Sequence, residues 1–200
     1  MVSGSEAGLS PPRGDFPSKY LRRLSPAHIF FGFTTFGFVL VAAASSVGLR
    51  FNLTSSLPVG LYRVTHDSAT IERGAIVLYC LPPPMGAFAN KRGYVPRGGQ
   101  CPDGLAPIGK IVAAITGDTV VVTTDGITIN GMLQAHSRAL ASDLKGRQLP
   151  HLFARSYVVQ RDYVWLLAPS ERSFDSRYLG PLLARNVLAR VQPVWIAAAR

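Results

Sequence analysis

Cysteine and histidine are scarce in this chain, and acid is scarcer than base. Two cysteines and four histidines, with no CxxC pair and no histidine pattern beside either cysteine, offer no zinc-type ligand set. No metal and no other cofactor is expected. Asp and Glu number 11 against 21 Lys and Arg, a formal charge of +10. A basic chain suits nucleic acid or an anionic membrane surface. Zinc-finger spacing, a helix-turn-helix cue and a dense basic tract are all missing, so a domain beside a membrane is expected, without nucleic acid. Internal repeats are missing too. Disorder is excluded by a hydrophobic content of 48%. Gly and Pro, at 19 and 15, are plentiful, and frequent turns favour a mainly β domain over a helical bundle.

Charge is absent altogether from Ile29 to Leu49. At ~1.5 Å rise per residue this run spans about 30 Å, one hydrocarbon core. Arg13, Lys19, Arg22 and Arg23 precede it, opposed by Glu6 and Asp15. The positive-inside rule then keeps the N-terminus in the cytoplasm and sends the chain from Arg50 onward across the membrane. A cleaved signal peptide is the rival, kept open by the small residues Ala42 to Ser46, although its apolar core is usually ~7–15 residues. The expected organisation is a cytoplasmic tail over 1–26, a transmembrane helix over 27–49 and an extracytoplasmic domain over 50–200.

Short β-rich runs follow at Gly60–Thr65 and Ala75–Leu81, the second stopped by Pro82-Pro83-Pro84. Residues 82–107 read as a long Pro/Gly loop. Ile108–Ile115, Thr119–Thr124 and Ile127–Ile129 read as an antiparallel meander, punctuated by Gly117-Asp118, Asp125-Gly126 and Asn130-Gly131. Residues 133–160 are less regular, an insert or a short helix, and Tyr163–Ala168 is a further strand.

Three stretches carry chemistry. In the strand from Ile108, Lys110 shares one face with Val112 and Ala114, while Ile111, Ala113 and Ile115 share the other. A lysine buried there loses solvation, its pKa falls, and the neutral amine can act as a base. An edge-strand lysine snorkelling to water is the plainer alternative. In Asn52 to Tyr62, Pro58 and Gly60 set a turn after Ser55-Ser56. An extended run before it would put Thr54 and Ser56 on one side, a hydroxyl donor beside a nucleophile. A polar linker leaving the membrane is the alternative. In Ser173 to Pro181, Asp175 and Arg177 can form a charged hydrogen-bond network or simply a surface turn. Cys80 and Cys101 can pair if the domain is extracytoplasmic; otherwise they are two buried thiols.

Taken in order, Ser56-Leu57-Pro58, Gly109-Lys110 leading to Gly117-Asp118, and Ser173 to Gly180 resemble the signal peptidase family. The stretch Asn52 to Tyr62, the phrase Phe174-Asp175-Ser176-Arg177-Tyr178-Leu179-Gly180-Pro181 and the Cys80–Cys101 region resemble its conjugative-transfer members of TraF type. The likeness covers roughly residues 28–195. It implies a signal-peptidase-like antiparallel β domain after one transmembrane helix, in the bacterial inner membrane with the catalytic part periplasmic. It implies Ser56 as nucleophile rather than Ser55, Lys110 as general base, Thr54 with the Ser56 N–H as oxyanion hole, Ser173 orienting the lysine, and Asp175 with Arg177 as support. Ser-Leu-Pro in place of the longer serine motif, and the lack of a large second β domain, point to a specialised member.

The implied reaction is attack by Ser56 on a peptide carbonyl, followed by release of the acyl-enzyme by water or by a free amine, which would cyclise the product. The implied partners are a pilin precursor or other exported preprotein, the membrane, and conjugation or type IV secretion components. His28, His66, His136 and His151 sit in unrelated contexts and carry no role. Competing readings are a general type I signal peptidase and a non-catalytic membrane-anchored β-module. A LexA-like self-cleaving protein would need a DNA-binding segment where the apolar run stands.

Overall fold

The computed structural model describes residues 25–54, 56–65, 71–152 and 155–197. Residues 1–24 of the expected tail, with its basic flank, together with Ser55 and His66, lie outside the described residues. The chain divides into two units, residues 1–42 and 43–200.

Helix α1 spans Pro26–Ser46. It is the one helix among the described residues long and apolar enough to cross a membrane. Phe30, Phe31, Phe33, Phe36 and Phe38 all stand exposed on it. A helix apolar all round suits lipid rather than one buried face. Its two threonines hide their hydroxyls against the helix itself: Thr34 donates to Phe30 O at 2.5 Å and Thr35 to Phe31 O at 2.8 Å.

The second unit is mainly β, and every strand pair in it is antiparallel. The strands of its larger sheet are β1 (Leu49–Asn52), β2 (Gly60–Thr65), β3 (Ile76–Tyr79), β4 (Ile108–Ala114), β9 (Tyr163–Leu167), β10 (Leu182–Leu183) and β11 (Val187–Ile196). They lie in the order β1-β2-β11-β3-β4-β9-β10. The smaller sheet comprises β5 (Thr119–Val122), β6 (Ile127–Ile129), β7 (Met132–Leu133) and β8 (Arg155–Val158), in the order β7-β6-β5-β8. The β6–β7 hairpin turns at Asn130 and Gly131, both with positive φ (50° and 83°), the conformation an Asn-Gly turn is chosen for.

Strand β4 is interior, flanked by β3 and β9. Its side chains alternate as the sequence pattern requires: Lys110, Val112 and Ala114 are buried, and Ile111 and Ala113 are half-buried. Val112 joins Val77, Tyr79 and Leu166 in the main core, and Ile111 packs against a cluster of Leu57, Tyr62 and Val191 on the other face. Both faces of the strand are therefore covered, and its pairing with β3 on one side and β9 on the other rules out an edge lysine.

One expectation needs correction. Residues 82–107 are not all loop: α2 runs Pro83–Lys91. Pro83 and Pro84 occupy its first turn, where a missing N–H costs nothing. Residues 133–160 show no helix among the described residues, which leaves the insert; Leu133 ends β7 and β8 lies further on. Strand β11, wedged between β2 and β3, was not anticipated at all. Cys80 follows β3 and Cys101 precedes β4; the two form a disulfide with Cα atoms 5.5 Å apart, tying the α2 segment back to the sheet.

Candidate active site

Thr54, Ser56, Lys110 and Ser173 all line one cavity of about 420 Å³. They come from three separate stretches of chain, the three singled out in the sequence. The strand does not run on to Ser56: β1 ends at Asn52, Thr54 lies in a bend and Ser56 in a turn. Thr54 and Ser56 nonetheless reach the same cavity.

The turn is held by a residue whose role sequence reasoning missed. The Asn52 amide donates to Thr54 O at 3.0 Å, Leu57 O at 2.9 Å and Pro58 O at 3.1 Å. Its Oδ1 accepts from the Thr54 N–H at 3.3 Å and the Thr54 hydroxyl at 2.7 Å. One side chain thus gathers the backbone on both sides of Ser56. Tyr62 closes the turn from beyond, its hydroxyl donating to Pro58 O at 2.7 Å. Leu57 anchors the turn in the apolar cluster, and a Cβ at Gly109 would come within 2.8 Å of its Cδ1. Glycine just before Lys110 is what lets the serine loop approach the lysine strand. The sequence signal for Asn52 was its short polar side chain four residues before the serine, a type that bonds local backbone.

Lys110 is 2% exposed. Burial pushes its pKa down from 10.5 to about 8, with Asp175 pulling it up and Arg177 pushing it down by smaller amounts. Asp175 does not pair with it. Arg177 Nε donates to Asp175 Oδ1 at 2.8 Å and Nη2 to Oδ2 at 3.1 Å. The remaining guanidinium donors go to Ala168 O, His136 O and Glu171 O, so all five N–H groups of Arg177 are used. Asp175 also accepts from the Ala168 N–H and caps the short helix α3 (Ser176–Leu179). The pair is completely buried and lies behind the cavity rather than in its wall.

Ser173 Oγ is buried and has no hydrogen-bond partner among the described residues. A buried hydroxyl left unmatched calls for a partner, and this one faces the cavity that Lys110 lines. Thr54 is engaged with Asn52, so its hydroxyl must exchange that bond to serve an oxyanion. Ser55 lies outside the described residues. Among those residues no group of His, Cys, Asp and Glu is arranged to hold a metal ion.

A buried lysine and a turn-held serine share one cleft of this β domain, and comparison with known proteins gives the family. The family described as "Signal peptidase, peptidase S26" matches residues 21–196. The chain belongs to this family of serine peptidases. It is similar to the plasmid transfer protein TraF of Escherichia coli, 39% identical over 159 residues, 78% of this chain and 88% of that protein. It is also similar to the conjugal transfer protein TraF of Agrobacterium tumefaciens, 36% identical over 166 residues, 82% of this chain and 92% of that protein. A crystal structure of signal peptidase I from Enterococcus faecalis aligns with a TM-score of 0.35 at 19% identity, covering 60% of this chain and 96% of that one.

Proposed function

We propose that the chain is a membrane-anchored serine endopeptidase in which Ser56 attacks and Lys110 is the general base. Its substrate is a pilin precursor or another exported protein of conjugative transfer, the setting named for its TraF relatives. The observation that carries this reading is Lys110: a lysine sealed in an interior strand, lowered to about 8, on the same cavity as Ser56. Neutral Lys110 takes the Ser56 proton as Oγ bonds to the scissile carbonyl carbon. The Ser56 N–H and the Thr54 hydroxyl, released from Asn52, hold the oxygen that gains charge. Lys110 returns the proton to the leaving amine, and the C–N bond breaks. Ser173 keeps the amine aimed at Ser56. Water then frees the acyl group, or the substrate's own amine does so and closes a ring.

Residues from Arg50 onward lie in the periplasm, with the N-terminus in the cytoplasm. The basic flank of the apolar run and the disulfide both favour that side. Phe51 on the edge strand β1, Leu53 just after it and Trp195 on β11 stand exposed, an apolar surface suited to a bilayer.

The test is incubation of the detergent-purified full chain with candidate pilin precursors, read by mass. Cleavage that Ser56→Ala and Lys110→Arg both abolish is expected. A cyclised product is lighter than the hydrolysed one by one water. Processing that survives both substitutions would refute the roles of Ser56 and Lys110, and no processing by the unaltered chain would leave the non-catalytic β-module as the better reading.

A further inference from the structure

Much of the wall of the cavity that Ser56 and Lys110 line is cationic. Arg92, Lys145, Arg147 and Arg172 line it, against Asp143 as the one carboxylate among its lining residues. Asp143 is already spent. It pairs with Arg147 at 2.6 Å, accepts from the Tyr94 hydroxyl at 2.5 Å, and takes the N–H groups of Lys145 and Arg147 at 2.9 and 3.0 Å. Burial pushes its pKa up, but the bonds from Arg147 and Tyr94 outweigh this and hold it well below the usual carboxylate range.

Arg92 is held ready rather than used up. Its guanidinium lies 4.3 Å from the Phe88 ring centre, and Phe88 stacks on Phe174, the residue after Ser173, at 5.6 Å. Nη1 donates to Gln148 O at 2.7 Å, and Asp143 is a distant 4.0 Å away. The side chain is 20% exposed, so its remaining donors are fixed in place and partly desolvated. Arg172, next to Ser173, and Lys145 make no side-chain ion pair among the described residues. A cleft lined by one sign of charge focuses its field on whatever enters. A stacked, planar guanidinium matches a carboxylate in particular.

We propose that this wall is a carboxylate subsite: the peptidase takes a substrate segment bearing an aspartate or glutamate a few residues from the scissile bond, its carboxylate seated against Arg92 and Arg172. The proposal rests on the peptidase reading above and adds the substrate's charge to it. The full chain in detergent, incubated at pH 8 with a degenerate dodecapeptide mixture, reports on it through mass sequencing of the products. Cleaved peptides should be enriched in Asp or Glu at one fixed distance from the cut. A charge-assisted pair of this kind corresponds to roughly 10- to 100-fold in kcat/KM over the matching amide. The enrichment should shrink between about 50 and 500 mM salt, as a partly exposed charge contact does. Arg172→Glu, an exposed position that folding tolerates, should turn the preference toward Lys or Arg at that distance, and Lys145→Glu should weaken it. Cleavage without acidic enrichment, or enrichment indifferent to both substitutions, overturns the subsite and leaves the peptidase standing. Absence of any cleavage removes both. If Arg172→Glu spares the peptide preference but abolishes binding to phosphatidylglycerol vesicles, the wall serves lipid headgroups and the proposal is wrong.

Discussion

Replacing Lys110 by methionine should make this protein more stable and inactive. The amine falls from 10.5 in the unfolded chain to about 8 in the fold, chiefly through burial. At ~1.36 kcal/mol per pKa unit the shift corresponds to about 3 kcal/mol. Between those two values the unfolded chain binds more protons than the folded one, so stability rises with pH there. Below pH 8 the penalty is present in full; above 10.5 it has vanished. Lys110→Met keeps the length and apolar stem without the amine, and should gain up to about 3 kcal/mol at pH 7. For a domain of this size that is a rise of roughly 6–12 °C in Tm. Denaturation of both proteins, followed by fluorescence of the buried Trp165, should show the advantage hold steady below pH 8 and fade as pH approaches 10.5. In the proposed mechanism the same shift supplies the base. Roughly one lysine in ten is neutral at pH 7 with a pKa near 8, against fewer than one in a thousand at the ordinary value. Peptidase activity should therefore climb with pH to an inflection near 8. A Lys110→Met protein no more stable than the parent at pH 7, or a difference flat from pH 7 to 10.5, would refute the desolvation account.

Asn52→Ala removes both ends of the clamp around Ser56. It should lower kcat at least about 10-fold with little change in KM, since the loop that loses its hold presents the nucleophile rather than the substrate; an equal loss carried wholly by KM would show that Asn52 serves binding instead. Cys80→Ser with Cys101→Ser opens a loop closed across a separation of 21 residues. The chain-entropy model sets the loss at about 3 kcal/mol, so Tm should fall by roughly 6–12 °C, and an unchanged Tm would show that the crosslink constrains little.

The parts of this site legible in the sequence are those whose physics is local. Alternation in β4 placed Lys110 with Val112 and Ala114, and the structure buries those three together. Whether that strand was interior or at an edge could not be read there, because its flanking strands β3 and β9 belong to distant stretches of the chain. Strand β11 escaped for a related reason. It is ten residues long but includes Arg190 and Pro193, with a register shift between Pro193 and Trp195, so its period-2 signal is broken. Its identity as a strand comes from β2 and β3 pairing on either side. Helix α2 was hidden by its own first turn, where Pro83 and Pro84 read as a breaker although they are admitted there. Asn52 was visible as a residue but not as a clamp, since its five contacts exist only once the turn around Ser56 has closed.

Asp175 and Arg177 pose a physical question of their own, because a carboxylate near a catalytic lysine is normally harmful to it. A lone buried anion would favour the ammonium and hold the lysine protonated, useless as a base. Asp175 does raise the Lys110 pKa, and Arg177 opposes it, so burial is left as the dominant influence. That opposition depends on geometry: both Asp175 oxygens face the guanidinium, and all five Arg177 donors are used within the fold. A buried pair of this kind costs solvation and is weak ground for claiming stability. Its value here lies in position. Asp175 caps α3, bonds Ala168 at the end of β9 and sits two residues after Ser173. Through those bonds it fixes the hydroxyl that shares the cavity with Lys110. A neutral apolar substitute could fill the space but could not cap the helix or bind the strand's backbone. The ion pair thus holds the serine in place while its two charges oppose each other at the lysine, and a salt bridge made to the lysine itself could not do both.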